Sequence, residues 1–131
     1  MAAAAVTLVV FPAHGAAQGV EVTPFLPSNV RQPVAWSAVF AGKFAGQPIK
    51  NVAVTCNGVT VRGELMVARD GLEGGAIYGL SEPLRQSRHI EIDLKPDLSR
   101  EAVEERLARP RGKESRSNFN RKAFNLSPAA I

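Results

Sequence analysis

Residues 51–67, NVAVTCNGVTVRGELMV, constrain the fold more than any other segment of the chain. Asn57-Gly58 lies between two runs in which apolar residues recur at every second position. Because Asn-Gly favours the positive φ angles of a type I′ turn, this segment predicts a β-hairpin. The second strand is expected to continue to Val67, with Gly63 as a candidate β-bulge.

The segment before the hairpin favours extended structure. Residues 20–33 contain three prolines among alternating apolar residues. Proline cannot donate a hydrogen bond to a central ladder, so this pattern indicates edge strands and turns. Residues 34–44 are compatible with either a strand or a short helix, and Gly42 and Gly46 then interrupt the pattern.

A further strand is predicted in HIEIDLKP, residues 89–96, where apolar and polar residues alternate strictly. Ile90, Ile92 and Leu94 fall on one face, which we expect to be buried. The other face carries His89, Glu91 and Asp93. These polar residues are interpreted as the solvated side of a sheet rather than as an acid–base set, so no catalytic residue is assigned.

After Asp97 the pattern becomes typical of helices. Ser99 and Ser115 are suitable N-cap residues, and Ser127-Pro128 combines a cap with proline at the first helical position. The chain ends at Ile131, three residues into this last predicted helix. An isolated short helix is only marginally stable, so we expect the chain to be a segment of a longer protein.

Together these patterns predict an α+β fold. A small, mostly antiparallel β-barrel or sheet is expected over residues 19–96, followed by a helical subdomain over residues 97–131 that is truncated at its C-terminus. The first 18 residues, MAAAAVTLVVFPAHGAAQ, are treated as an unmatched leader. They have no Lys or Arg before the apolar run, unlike a secretory signal. The run is also shorter than the roughly 20 residues that cross a bilayer, so no membrane association is expected.

Four glycines, at positions 71, 74, 75 and 79, lie around the predicted start of a short helix in RDGLEGGAIYGLS, residues 69–81. Their spacing matches neither G-x-G-x-x-G nor the P-loop pattern, and no parallel β-α-β unit surrounds them. Backbone N–H groups of Gly74, Gly75 and Ala76 could face an anion or the edge of a cofactor. Alternatively, the glycines permit a tight turn from strand to helix, which is the interpretation that the residues alone favour. Pro83 is expected to limit or kink the helix.

The charge of the chain and its few cysteine and histidine residues bear on nucleic-acid binding and metal binding. The net charge is +4, and a basic run occupies residues 109–122. This run lacks interleaved aromatic residues before Phe119 and Phe124, which fit a core stripe better, so nucleic-acid binding is not favoured. A single cysteine, Cys56, and two histidines do not favour a metal site, and we interpret the thiol as structural. Trp36 and Tyr78 are interpreted as core or interface anchors.

Several pieces of the sequence, in order, resemble one family of bacterial flavoproteins. The pieces are GVEVTPFLPSNV (19–30), FAGQPIKNVAV (44–54), VRGELMVARDGLEGGAIYGLSEPLR (61–85), IDLKPDLS (92–99) and RLARPRGKESRSNFNRKA (106–123). They look like the aminoacetone-oxidase family of NAD(P)/FAD-dependent oxidoreductases. The resemblance covers roughly residues 19–131, and its most specific parts are the glycine segment and RPRGK.

The resemblance implies a role for this chain within a larger flavoprotein. In that family, an inserted barrel with a helical subdomain interrupts the FAD-binding Rossmann domain, and this chain is similar to the insert. The resemblance therefore implies FAD as cofactor, Gly71, Gly74, Gly75 and Ala76 as a wall toward the flavin, and a cytoplasmic location. The Rossmann halves that would hold most of the cofactor are expected on other sequence.

Three hypotheses follow. The chain is a catalytically silent part of an oxidoreductase, a stand-alone basic module that binds RNA or an acidic protein, or a domain that docks on a partner supplying the Rossmann halves.

Overall fold

The computed structural model describes Ser28 and residues 30–131. The predicted leader, residues 1–18, and most of the proline-rich segment before Ser28 therefore lie outside the described residues. The strands are β1 (Gln32–Pro33), β2 (Pro48–Cys56), β3 (Val59–Ala68), β4 (Gly71–Glu73) and β5 (Glu91–Asp93). The helices are α1 (Ala38–Phe44), α2 (Gly75–Tyr78), α3 (Ser81–Gln86), α4 (Arg100–Leu107) and α5 (Arg116–Phe124), followed by a 3-10 turn (Pro128–Ala130).

The five strands form one curled antiparallel sheet in the order β1-β4-β3-β2-β5. The sheet is a half-barrel, and helices follow it in the chain. The predicted α+β class, with a small antiparallel barrel and then a helical subdomain, is confirmed. Residues 34–44, for which the sequence left strand and helix open, contain the helix α1.

The predicted hairpin joins β2 to β3. Asn57 and Gly58 have φ angles of 49° and 79°, as a type I′ turn requires. The bulge, however, lies on the opposite strand from the one predicted. Between the pairs Ile49↔Leu65 and Val52↔Gly63, β2 has two residues and β3 has one, and Asn51 adopts a left-handed φ of 54°. The extra residue is therefore accommodated by asparagine, which tolerates this conformation, and not by Gly63.

The core lies between one face of the sheet and the short helices. The residues of the core that are fully or almost fully buried are Val52, Val54, Cys56, Leu65, Val67, Ala76, Ile77 and Leu80. Trp36 and two phenylalanines of α1 pack against this cluster, with ring centroids 4.6 and 4.9 Å apart along the row. Because α2 presents Ala76 and Ile77 to the sheet, the glycine segment is anchored directly to the core.

Two local expectations need correction. The residues after Gly74, predicted as one short helix, form the two helices α2 and α3, with Gly79 and Leu80 between them. Pro83 lies in the first turn of α3 and does not cause this break. Proline is tolerated there because a first-turn N–H has no partner within the helix. The strand predicted over residues 89–96 is only three residues long, and Ile92 is 37% exposed. β5 pairs with β2 alone and forms the edge of the sheet, so little packs over it.

The helices α4 and α5 begin where the serine caps predict, whereas Ser127 precedes the 3-10 turn without a side-chain cap hydrogen bond. Ser99 Oγ and Ser115 Oγ each accept a hydrogen bond from a first-turn N–H, at 3.2 Å in both cases. The Arg106 guanidinium donates to the carbonyl of Ala123 at 3.0 Å, which ties α4 to α5. Within residues 28 and 30–131, no helix has the length and apolar character to cross a membrane.

Asp97 connects the start of this subdomain to the sheet. Its carboxylate accepts hydrogen bonds from the Asn51 amide, at 2.6 Å, and from the Arg62 guanidinium. These two bonds, with that from Asn51 the larger contribution, hold the pKa of Asp97 below its usual value. The ionised carboxylate therefore stabilises the contact between the bulge on β2, strand β3 and the loop before α4.

Candidate functional site

The glycine segment lies at the β3–β4 turn and the start of α2. Ala68 pairs with Gly71 across a two-residue turn, so β4 runs back along β3 immediately after it. Gly74 then has a φ of 110°, a backbone conformation that side chains rarely adopt, and α2 starts at the next residue. The segment is thus a tight strand-to-helix connection, as the residues alone favoured.

Gly71 and Gly74 are both required by close backbone packing. A Cβ atom on Gly71 would lie 2.2 Å from the carbonyl oxygen of Gln32 in β1. A Cβ atom on Gly74 would lie 3.0 Å from the carbonyl oxygen of Glu64 and 3.2 Å from the N of Met66. Because these neighbours are backbone atoms, the two glycines face the sheet.

Gly75 and Ala76 lie in different environments, one exposed and one buried. Ala76 is fully buried against Gly63 of β3. Gly75 is exposed, and nothing lies within 4 Å of the position that its Cβ would occupy. Of the four residues singled out from the sequence, Gly75 alone combines exposure with open space. The ring of Tyr78, three residues further along α2, is also exposed, at 38%. Residues three apart lie on the same side of a helix, so Gly75 and Tyr78 share an exposed face.

An ion-pair cluster holds the β3–β4 turn in place. Arg31 donates one hydrogen bond to Asp70 at 2.7 Å and two to Glu73, at 2.9 and 3.1 Å. These bonds, first that to Glu73 and then that to Asp70, raise the pKa of Arg31 above its usual value. The indole N–H of Trp36 adds a hydrogen bond to the Gly71 carbonyl at 3.3 Å. Sequence reasoning missed this cluster because its partners are about 40 residues apart.

The remaining candidates stand apart from the glycine segment. His89 and Glu91 are exposed, with 3.9 Å between His89 Nε2 and the Glu91 carboxylate, on the edge strand β5. Cys56 is buried, and its thiol donates to the Ser87 carbonyl at 3.5 Å. In the part of the chain that the structure describes, no three His, Cys, Asp or Glu side chains converge in a way that would hold a metal ion.

Which chemistry can this arrangement support? The fit to a flavin is limited to one surface. A pyrophosphate cradle needs glycines whose open side faces the ligand, whereas Gly71 and Gly74 turn that side toward the sheet. The exposed face of Gly75 and Tyr78 can contact a planar group but cannot enclose one. These residues therefore fit a wall beside a cofactor and do not fit its phosphate-binding site.

Comparison with protein families identifies a similar domain. The family model described as "HI0933-like protein barrel and H2TH domain" matches residues 26–128. This range includes the whole described sheet, the glycine segment and both helices α4 and α5. Searches of curated proteins and of solved structures gave no significant match.

Proposed function

The chain belongs to the HI0933-like family of FAD-dependent oxidoreductases as its barrel and H2TH domain, and from this membership we propose that it forms one wall of a flavin site. The closer relationship to aminoacetone-oxidase-type enzymes, inferred from the sequence, is part of the proposal. Bound FAD would supply the redox chemistry by accepting a hydride from a small substrate. This chain would contribute one contact surface that positions the flavin.

The single observation that carries the proposal is the exposed face of Gly75 and Tyr78 within the family-matched region. Gly75 leaves room for another group to approach the backbone closely, and Tyr78 offers an aromatic surface beside it. The same short helix buries Ala76 and Ile77 completely on its other side. A surface so firmly anchored is suited to hold a contact in a fixed position.

The chain alone is proposed to be catalytically silent. Its sequence contains no G-x-G-x-x-G fingerprint for the pyrophosphate, and Gly71 and Gly74 are engaged in the sheet. The Rossmann halves would come from other sequence, either in the same polypeptide or in a partner chain. The isolated chain should then purify without flavin.

A complementation experiment tests the proposal. The chain is expressed together with the dinucleotide-binding part of an HI0933-like oxidoreductase, and flavin absorbance is measured across a gel-filtration peak. We expect both chains and the flavin to elute together, whereas the chain alone shows no flavin absorbance. Flavin bound to the isolated chain would contradict the proposed silence, and failure of the two chains to associate would contradict the docking role.

Two leucine variants locate the contact. Gly75→Leu should reduce the flavin retained by the complex, because the side chain would occupy the space proposed for the cofactor. Gly42→Leu is the matched control, since Gly42 lies exposed in α1 with nothing within 4 Å of its Cβ position. Equal flavin retention by the two variants would remove Gly75 from the flavin site.

A further inference from the structure

A basic cleft lies between α4 and α5, away from the glycine segment. Its volume is about 450 Å³, which is within the usual range for small-molecule sites. The cleft is lined by Leu107, Arg109, Arg111, Arg116, Phe119 and Asn120. These residues come from the end of α4, the connection RPRGK and α5, so one local supersecondary unit builds the whole cleft.

Positive charge in this cleft is largely uncompensated. Residues 106–122 carry a net charge of +6, whereas the entire chain carries +4. Arg109 forms an exposed ion pair with Glu105 at 3.5 Å. Across residues 28 and 30–131, no carboxylate pairs with Arg111 or Arg116. Bringing three guanidinium groups to one cleft costs electrostatic free energy, which a bound anion would offset.

The same cleft also has an apolar side. Leu107 is 50% exposed at the end of α4. Phe119 is half-buried and lines the cleft, whereas Phe124 of the same helix is buried in the protein. The sequence placed both phenylalanines on a core stripe, and this holds for Phe124 only. Phe119 therefore leaves part of an aromatic surface beside the arginines.

The backbone around the cleft is held by groups other than these arginines. Gly112 takes a φ of 62° in the connection, where its lack of a side chain permits the turn. Ser115 caps α5, and Lys122 in the last turn of that helix forms an ion pair with Glu114, which precedes the helix. The Arg106 bond to the Ala123 carbonyl fixes the two helices. Arg111 and Arg116 are thus not needed for the local fold.

We propose that this cleft binds a small phosphate-bearing molecule of the nucleotide class. Arginine matches phosphate through paired hydrogen bonds in a planar fork, and Arg111 and Arg116 are available for such bonds. Phe119 and Leu107 would contact the base, which stacks or packs on apolar surface. The inference is independent of the flavin proposal, because no residue of the cleft belongs to the glycine segment.

Calorimetric titration of the whole chain with ADP tests this site, with pyrophosphate and adenosine as comparison probes. We expect ADP to bind more tightly than pyrophosphate and adenosine not to bind detectably. The double variant R111Q/R116Q should weaken ADP binding about tenfold or more, since hydrogen bonds to charged groups are removed. The matched control is R121Q, which removes the same kind of charge from an exposed position of α5 outside the cleft.

Each result decides the proposal. Loss of affinity in R111Q/R116Q, with R121Q within about twofold of the unmodified chain, supports a defined site. Equal weakening by R121Q would show general charge attraction and overturn the proposal. So would the absence of ADP binding, or tighter binding of a single-stranded oligoribonucleotide that is insensitive to R111Q/R116Q. Circular dichroism of every variant confirms that the helices are retained.

Discussion

Gly71→Ala is expected to destabilise the protein by about 2–3 kcal/mol because β1 packs directly on the backbone of β4. The added Cβ would lie 2.2 Å from the Gln32 carbonyl oxygen, 3.0 Å from its carbon and 3.2 Å from the Pro33 Cα. Ordinary contact begins near 3.4 Å, so β1 would have to retreat by about 1.2 Å. All three atoms belong to the backbone, so no side-chain rotation can relieve the overlap.

The retreat also weakens hydrogen bonds that hold β1 and α1 to the turn. The Val34 N–H donates to the Asp70 carbonyl at 3.0 Å, and the Trp36 indole donates to the Gly71 carbonyl at 3.3 Å. A hydrogen bond contributes about 1 kcal/mol net, so losing both accounts for about 2 kcal/mol. Residual overlap supplies the remainder of the expected loss.

Urea unfolding followed by circular dichroism measures the effect. With an m-value of about 1.5 kcal/mol/M, a loss of about 2 kcal/mol lowers the midpoint by about 1.3 M. Gly75→Ala is the control in the same segment, and it should change the free energy of unfolding by no more than about 0.5 kcal/mol because its Cβ meets open space. An unchanged midpoint for Gly71→Ala, or an equal loss for both variants, would refute the packing argument.

Two further predictions concern the start of the helical subdomain. Ser99→Ala should lower the free energy of unfolding by about 1 kcal/mol in urea titrations, because Ser99 Oγ caps α4 at 3.2 Å; Ser117→Ala, at an exposed helical position, is the control and should not reproduce the loss. Asp97→Asn should flatten the acid dependence of stability. Hydrogen bonds from Asn51 and Arg62 lower the folded pKa of Asp97, so its contribution is present above the unfolded value of about 3.9 and is lost as the pH falls through the lower folded value. Urea midpoints measured from neutral pH to below pH 4 check this, and an identical acid profile for Asp97→Asn would contradict it.

Features that depend on neighbours in the chain were predicted correctly from the sequence. The hairpin at Asn57-Gly58 follows from the φ angles that these two residues accept. The starts of α4 and α5 follow from serine side chains that reach N–H groups three residues ahead. In each case the interaction that fixes the backbone is formed within one turn, so the sequence contains all of its partners.

Features that depend on distant partners were not predictable in the same way. The bulge on β2 contains Asn51, whose side-chain amide donates to the Asp97 carboxylate 46 positions further along the chain. Ile92 is exposed because β5 is an edge strand, a fact set by the order of strands and not by their alternating pattern. The Arg31 cluster likewise joins residues 39 and 42 positions apart.

In the candidate site too, the sequence predicts the segment, whereas contacts with distant elements decide the role of each residue. Gly71, Gly74 and Gly75 are one residue type in the sequence, but their surroundings separate them into two packing positions and one open position. Phe119 and Phe124 both lie on α5, but one lines the basic cleft and the other is buried. The sequence identified the segments that matter, whereas assigning each residue required the atoms that come from other elements.

The two proposed surfaces can be separated because they use different parts of the fold. The face of Gly75 and Tyr78 is anchored by the buried residues of α2 against the sheet. The basic cleft is built by α4, its connection and α5, and it is held by the bond from Arg106 to Ala123. Substitutions at independent sites have additive effects. R111Q/R116Q should therefore leave flavin retention by the complex unchanged, and Gly75→Leu should leave ADP affinity unchanged. If either variant altered both flavin retention and ADP affinity, the cleft and the flavin wall would have to be parts of one site. A single ligand that spans them would then replace the two proposals.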